Sequence, residues 1–346
     1  IAHGKYEKAL EIIKKDNPLA STLSRICNHP CESKCRAGHG GEPISIRDLK
    51  RFATDYGLKN NLMTKVKSTT KPKGIKVAII GSGPAGLSCG FDLAHNGYDI
   101  TIFEKESMAG GMLALGIPEY RLPREILNAD INYIRSAGVD IQTNSALGKD
   151  FTIDKLFNHG YKAIFIAIGA YKSLNMGFPN ENLEGVIPGM KLLKDINLGK
   201  TIQIGKKVGI IGGGNSAVDA ARSVLRLGKT ENVTIFYRRT IDEMPAYKEE
   251  VEGALEEGIK IEFLTAPGKL IGKNGKLHAC EFIRMKMGAL DASGRRSPVP
   301  IKGSEFTIKL DTLIVSISES PDTSFLDKEK IELSKRETIV INPETF

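Results

Sequence analysis

The sequence holds no run of about 18 apolar residues, so no membrane-spanning helix is expected. Residues 1–20 alternate charged and apolar positions and lack the apolar core of a signal peptide. No block of like charge occurs either: the net charge is +8, but Lys and Arg are scattered along the chain. That distribution favours anionic cofactors or an acidic protein partner and does not by itself point to nucleic acid. Cysteine is sparse, five in 346 residues with three of them clustered. Such usage is no disulfide framework for a chain of this size, and the cytoplasm is the expected compartment. What remains, 41% hydrophobic and 26% charged, is an ordinary soluble globular composition, and the length predicts two or three domains.

The densest stretch is residues 76–106, KVAIIGSGPAGLSCGFDLAHNGYDITIFEKE. An apolar run at 77–80 reads as a buried strand. It breaks into Gly81, Gly83 and Gly86, an apolar-periodic helix follows, and a second strand ends at Glu104. Strand, glycine turn, helix, strand and acid is the order a dinucleotide-binding unit requires. Gly81 permits the turn, Gly83 lets backbone approach a pyrophosphate, and Gly86 lets the helix pack close to the strand. Helix N–H groups then face the phosphates. Glu104 falls roughly 20 residues on, where an acid accepts from a ribose 2′-OH. Pro84, Ala85 and Lys105 flank these positions and complete the first candidate set.

A second unit begins at Lys207, KVGIIGGGNSAVDAARSVLRLG. Gly212, Gly214 and Ala217 take the three fingerprint places, with Gly213, Asn215, Ser216 and Asp219 around them. The strand that follows ends in Tyr237, Arg238 and Arg239 instead of an acid. An acid would repel a 2′-phosphate, whereas guanidiniums offer it charge-assisted hydrogen bonds, so NADP(H) is favoured over NAD(H). Two units with opposite strand ends imply two different dinucleotides, most economically a flavin and a nicotinamide. The redox chemistry then belongs to the cofactors, with flavin N5 held against nicotinamide C4.

Elsewhere, residues 5–16 predict an amphipathic helix with Ala9, Leu10, Ile12 and Ile13 on one side, ended by Asn17-Pro18. Cys27, Cys31 and Cys35 follow with three residues between successive members. On one helix that spacing would line three thiolates along a face. From the residues alone, a [4Fe–4S] cluster lacking one ligand and a zinc site completed by His29 or His39 are served equally. Residues 68–74, STTKPKG, read as a linker. Residues 109–123, AGGMLALGIPEYRLP, read as an irregular loop and a plausible flavin wall, with Gly110, Gly111, Met112, Gly116, Ile117 and Arg121 as candidates. A helix at 124–137 and a buried strand at 163–170, running into Gly169, come next. Residues 259–306 alternate strands and turns, and 311–317 read as another buried strand. No third glycine-rich segment occurs before Phe346.

Several stretches resemble one family: the small (beta) subunit of glutamate synthase and its homologues. Related members are the flavin half of dihydropyrimidine dehydrogenase and the large subunit of NADH-dependent ferredoxin:NADP oxidoreductase. The matching stretches are NPLASTLSRICNHPCESKCRAG, EPISIRDLKRF, GSGPAGLSC, GGMLALGIPEYRLP, IGGGNSAVDAAR, YRRTIDEMPA and MGALDASGRRSPVPIKGSEF. The resemblance implies an α/β fold of tandem Rossmann-like domains, the NADP domain inserted in the FAD domain, behind a small helical iron–sulfur domain. It places these at residues 1–70 (helical), 75–184 with 316–346 (FAD) and 185–315 (NADP). It turns the cysteine reading toward [4Fe–4S], with Cys27, Cys31 and Cys35 matching the trailing cysteines of the family pattern and the other ligands expected upstream of Ile1. A C-terminal glycine–aspartate motif that closes the FAD site is likewise expected beyond Phe346, and Ser318 stands where the superfamily usually has glycine.

The implied function is electron transfer between NADP(H), FAD and a partner, either a glutamate synthase large subunit or a ferredoxin-type protein, with no catalytic side chain. Cys89 and Cys280 have no sequence-near partner and read as core residues, which disfavours disulfide-reductase chemistry. Two alternatives stand beside this reading. One is a subunit or fusion domain of a ferredoxin- or NADH-linked bifurcating complex, and the other is a non-catalytic zinc-binding assembly module.

Overall fold

The computed structural model describes residues 1–62, 70–292 and 294–345. Part of the expected linker, residues 68–69, lies outside the described residues. The chain divides into two compact units. One comprises the chain up to Ala114, Glu119–Ala170 and the segment from Pro321 on; the other comprises Leu115–Pro118 and Tyr171–Ser320.

The first unit opens with helices α1 (Tyr6–Asp16), α2 (Ala20–Ile26), α3 (Pro30–Ser33) and α4 (Ile46–Lys59). Helix α1 buries Leu10 and Lys14, whereas Ile12 is 61% exposed. The inner face is therefore rotated from the one its apolar residues suggest. Tyr133 and Asp130, far off in sequence, explain it. The Lys14 ammonium lies 3.1 Å from the centre of the Tyr133 ring, and Asp130 attracts it. Asp130 Oδ2 also accepts the Thr22 N–H at 2.7 Å, which ties the helices to the sheet that follows.

That sheet is built from β1 (Lys76–Ile80), α5 (Pro84–His95), β2 (Asp99–Phe103), α6 (Met112–Leu115), α7 (Arg124–Ser136), β3 (Val139–Gln142), α8 (Ile153–Asn158) and β4 (Tyr161–Ile166). All its strands are parallel in the order β3-β2-β1-β4. Central β1, covered on both faces, is a continuous β-branched and alanine run, as a parallel interior strand must be. The expected buried strand at 163–170 is different. Among the described residues β4 pairs only with β1, at the sheet edge, and Phe165 is 40% exposed. The loop at 109–123 also contains the one-turn helix α6. Returning from the second unit, the chain adds Leu326 to a core of Ala78, Ile80, Phe103, Leu147 and Leu156.

The second unit contains β5 (Lys172–Ser173), β6 (Val186–Pro188), α9 (Gly189–Asn197), β7 (Lys207–Ile211), α10 (Asn215–Arg226), β8 (Asn232–Phe236), α11 (Lys248–Glu256) and β9 (Lys260–Glu262). After them come β10 (Thr265–Lys273), β11 (Lys276–Leu290), β12 (Arg296–Pro300), β13 (Phe306–Lys309), β14 (Thr312–Val315) and β15 (Glu319–Ser320). A parallel sheet has the order β6-β14-β7-β8-β9, and an antiparallel layer runs β10-β11-β12 with β13 also on β11. The two layers meet through Phe236 and Phe282, both buried, with ring centres 4.1 Å apart. Truncating either ring would cost about 3–5 kcal/mol.

Candidate functional site

Each unit carries one glycine turn leading into a helix. In the first, Gly81 has φ +104°, and a Cβ there would lie 2.5 Å from the Ala167 carbonyl oxygen. A side chain is excluded on both counts. Gly83 caps α5 in extended conformation, and nothing lies within 4 Å of where its Cβ would be. Pro84 takes the first helical position, where its missing N–H is no loss. The helix therefore opens with free N–H groups, a positive dipole end and bare space beside them, which suits a diphosphate.

Glu104, 5% exposed, turns inward to this loop. Its Oε2 accepts the Ser82 N–H at 2.9 Å and the Ser82 hydroxyl at 2.6 Å, and Oε1 accepts the Glu106 N–H at 2.9 Å. Three of its roughly four acceptor places are thus used by the turn itself. Ser82 in turn accepts the Gly110 N–H at 3.0 Å, so the loop bearing Gly110 and Gly111 is stitched onto the fingerprint. Gly111 is packed so tightly there that a Cβ would lie 2.7 Å from the Gly83 Cα. Ser82, fully buried, is a site residue that the glycine pattern alone did not single out; its place between two fingerprint glycines was the available signal.

The remaining first-set residues divide. Ala85 and Gly86 belong to the first turn of α5, Lys105 is exposed, and Gly169 has φ +64° with open space around it. Met112 and Arg121 stay with the first unit. Gly116 and Ile117 instead go with the second, where the Asn197 amide donates to the Leu115 and Ile117 carbonyls at 2.8 and 3.2 Å.

In the second unit Gly212 has φ +146°, and a Cβ there would sit 2.2 Å from the Ser316 carbonyl oxygen. Gly214 caps α10 with open space beside it, as Gly83 does for α5. Asn215 at the helix start is held by the Tyr247 N–H, 2.9 Å from its Oδ1. Ala217 and Asp219 are buried in α10. The glycines border a cavity of about 440 Å³ whose lining includes Ser216, Arg238, Arg239, Arg295 and Glu319. Glu319 is half-buried. Burial pushes its carboxyl up while a hydrogen bond from Ser216 draws it down.

The two arginines after β8 have different surroundings. Arg238 is exposed at the cavity and has no ion-pair partner among the described residues. Arg239 is 5% exposed; its Nε donates to the Arg296 carbonyl at 2.9 Å and its Nη2 to Asp291 Oδ2 at 2.7 Å. The sequence treats the pair as equivalent, because Asp291 and Arg296 come more than fifty residues later and arrive only with the β11–β12 hairpin.

The cysteines do not share a helical face. Cys27 follows the end of α2, His29 is left-handed at φ +40°, Cys31 lies in α3, and Cys35 precedes a 3₁₀ turn at Arg36–His39. Pro30 is the reason: it cannot continue α2, and it drives the residue before it out of the helical region. The sulfurs do have donors suited to thiolates. The His29 N–H lies 3.3 Å from Cys27 Sγ, and the N–H groups of Ile44, Ala37 and Gly38 hold the Cys35 thiol below its usual range. His29 Nδ1 is 3.1 Å from Glu32. Among the described residues, however, no three His, Cys, Asp or Glu side chains gather as a metal site. As folded, the three cysteines do not form a closed ligand set for iron–sulfur or zinc. Cys280 is fully buried and pushed up to about 12 by burial, whereas Cys89 is half-buried with its thiol pushed up by burial; all five are free thiols.

Two parallel Rossmann-type sheets, each with an open glycine cap, define a two-dinucleotide oxidoreductase fold, and the family comparisons agree. The chain belongs to the pyridine nucleotide-disulphide oxidoreductase family over residues 75–345, and residues 1–62 match dihydropyrimidine dehydrogenase domain II, the 4Fe-4S cluster family. Within that class it is of the glutamate synthase small-chain type. The glutamate synthase [NADPH] small chain of Escherichia coli K12 is 31% identical, over 97% of this chain and 74% of that protein. The NADP(+)-dependent formate dehydrogenase subunit beta of Moorella thermoacetica is 45% identical over 100% of this chain and 52% of that protein. The chain thus spans about half the length of that relative. In fold it is similar to Mycobacterium tuberculosis FprA in complex with NADPH, with TM-score 0.62 at 17% identity, covering 71% of each chain. No described helix is long and apolar enough to cross a membrane.

Proposed function

We propose that this chain is an NADPH-dependent flavin oxidoreductase module that moves electrons between NADP(H), FAD and a partner subunit. One observation carries the reading: two open glycine caps stand beside opposite strand ends, the buried Glu104 in one unit and the exposed Arg238 in the other. We assign FAD to residues 75–184 with 316–346, NADP(H) to 185–315, and the iron–sulfur domain to 1–70.

In the first unit Ser82 and Glu104 hold the turn, so that the N–H groups of Ala85 and Gly86 point at a diphosphate. One acceptor place on Glu104 is left for a ribose hydroxyl. In the second, Tyr247 fixes Asn215 at the start of α10, and Arg238 offers a forked donor to a 2′-phosphate. Bound FAD and NADP(H) supply the hydride chemistry, so the chain needs no acid, base or nucleophile of its own.

Free thiols throughout support a cytoplasmic setting. For the partner, the higher identity to a formate dehydrogenase beta subunit than to the glutamate synthase small chain supports a redox subunit other than the glutamate synthase large subunit.

The test is an anaerobic titration of the purified protein with NADPH and, separately, NADH, followed by flavin absorbance, with iron and zinc content measured on the same sample. Bleaching by NADPH at far lower concentration than by NADH is expected. A protein that neither retains nor takes up FAD, or one that both nucleotides bleach alike, overturns the proposal. Zinc without iron would assign the N-terminal domain to assembly.

A further inference from the structure

The cavity of the second unit has two flanks, because the strand order β6-β14-β7-β8-β9 reverses at β7, the strand that leads into the glycine turn. From β7 the chain steps outward to β8 and β9, whereas β14 and β6 lie on the other side of β7. A dinucleotide at such a switch point lies across the carboxyl ends of the strands, one nucleoside over each flank. Arg238, after the end of β8, marks the flank of the 2′-phosphate. The nicotinamide nucleoside therefore falls over the end of β14. That end is residues 316–319, SISE, and Ile317, Ser318 and Glu319 all line the cavity.

Glu319 is fixed on that flank by its neighbours. The Ser316 N–H donates to the Ile211 carbonyl at 2.8 Å, which keeps the segment beside the glycine turn. The Leu174 N–H donates to the Ser318 carbonyl at 3.0 Å, and Glu319 pairs antiparallel with Ser173 of β5. The side chain is held as well: the hydroxyl of Ser216, in the first turn of α10, donates to the Glu319 carboxylate. The carboxylate is half-buried, so it is poorly hydrated, and a cation beside it would replace the lost water. Ile317, 44% exposed, gives the same flank an apolar surface. An apolar surface next to an acid suits a flat aromatic cation.

We infer that Glu319 faces the nicotinamide ring and favours its oxidised, cationic form over the reduced, neutral one. The inference rests on the NADP(H) reading of this cavity and adds which redox state the cavity prefers. When C4 of NADPH gives up hydride, one hydrogen nucleus and two electrons pass to the flavin, and the ring gains a positive charge. A carboxylate beside the ring stabilises that product and leaves the neutral ring almost unaffected. Ser216 is a positioning residue, since its hydrogen bond keeps the carboxylate charged and in place. The bound couple is thereby shifted toward NADP+, and bound NADPH becomes a stronger donor than NADPH in water.

The experiment is calorimetric titration of the full chain, in mildly alkaline buffer that keeps the carboxylate ionised, with three ligands. These are NADP+, tetrahydro-NADP, whose ring is neutral and gives no hydride, and 2′,5′-ADP, which has no nicotinamide. The native protein is expected to bind NADP+ more tightly than tetrahydro-NADP. In Glu319→Gln the ratio of those two affinities should fall roughly tenfold, as expected for opposite charges several ångströms apart near a protein surface. Glu319→Asp keeps the charge and should keep most of the ratio. Ser216→Ala should lower the ratio by roughly threefold in the native background and by nothing further in the Glu319→Gln background, the signature of action through a shared partner. Binding of 2′,5′-ADP within about twofold of native shows that the Glu319→Gln cavity is folded. An unchanged ratio in Glu319→Gln, with 2′,5′-ADP still bound, overturns the assignment while the NADP(H) reading stands. A tenfold change in 2′,5′-ADP affinity itself also overturns it, because Glu319 would then face the adenosine half. A native protein that does not bind 2′,5′-ADP removes both.

Discussion

In the first unit the helix after the glycine turn starts at Gly83 with φ −66° and ψ 179°; in the second it starts at Gly214 with φ −89° and ψ 174°. The turns are near copies, yet the same contact beside them is made from opposite chemistry. The residue after the first fingerprint glycine meets the residue after the second strand. In one unit this is Ser82 on Glu104, a hydrogen-bonded lock. In the other it is Gly213 beneath Tyr237, so close that a Cβ would lie 2.4 Å from the ring, with the tyrosine hydroxyl donating to the Glu243 carbonyl at 2.7 Å. A carboxylate suits a site for an unmodified ribose. An aromatic wall followed by Arg238 suits one where negative charge must be admitted.

Helix spacing differs as well. A Cβ on Gly86 would fall 2.0 Å from the Gly81 carbonyl oxygen, and one on Gly90 would touch Ile102 at 3.0 Å. Helix α10 has Ala217 and Ala221 at the matching places, both fully buried. The second unit therefore accommodates methyl groups between helix and strand, whereas the first brings backbone against backbone.

Breaking this comparison starts with Gly86→Ala, which is expected to cost at least about 3 kcal/mol because the contact is backbone and cannot move aside. Thermal melting and flavin content of the purified variant measure it, and a native-like melt would show that α5 can slide outward as α10 has done. Next in size, Glu104→Ala strands three donors in a buried turn and should cost about 2–3 kcal/mol in denaturant titration, with loss of flavin.

Stability against pH sharpens the contrast from another side, with a slope of at most about 1.4 kcal/mol per pH unit for each group. Burial lowers Lys14, in the first unit, to about 8, against its ordinary 10.5. Between those values the unfolded chain binds the extra proton, so stability rises with pH on the alkaline side. Asp130, raised by its burial, and Tyr133 face the amine and set its environment. In the second unit, hydrogen bonds from Arg226 and Arg222 hold Glu257 at about 2, against 4.5. Its contribution is complete above 4.5 and lost as pH falls toward 2. Denaturant midpoints across pH should lose the alkaline rise in Lys14→Met and the acid fall in Glu257→Gln, each variant leaving the other arm intact. The smallest effects, about 1 kcal/mol each, are expected for Ala217→Gly through helix propensity and for Tyr237→Phe through one hydrogen bond. Equal costs for Ala217→Gly and Gly86→Ala would erase the difference in helix spacing.

Both glycine turns, the helices after them and the charge at each strand end were readable from residue order, because the strand, turn, helix and strand-end residue of each unit lie within about 30 residues of one another. Lys14 was not, since its burial depends on Tyr133 and Asp130, and neither was the splitting of Arg238 from Arg239, which needs Asp291. The cysteine spacing suggested a helix where Pro30 forbids one, although the proline was in plain view. The strand at 163–170 looked buried because its apolar run carries no mark of which neighbours it will have.

The sequence by itself determined two dinucleotide units, an acidic strand end in one and a basic one in the other, since glycine conformations and charge are properties of local chain. Tertiary structure alone decided which of those charges stay open. Ser82 engages most of Glu104, and a hairpin more than fifty residues away claims Arg239, leaving Arg238 at the cavity. A charged side chain goes wherever its counter-charge is held, and only the fold brings the counter-charge within reach.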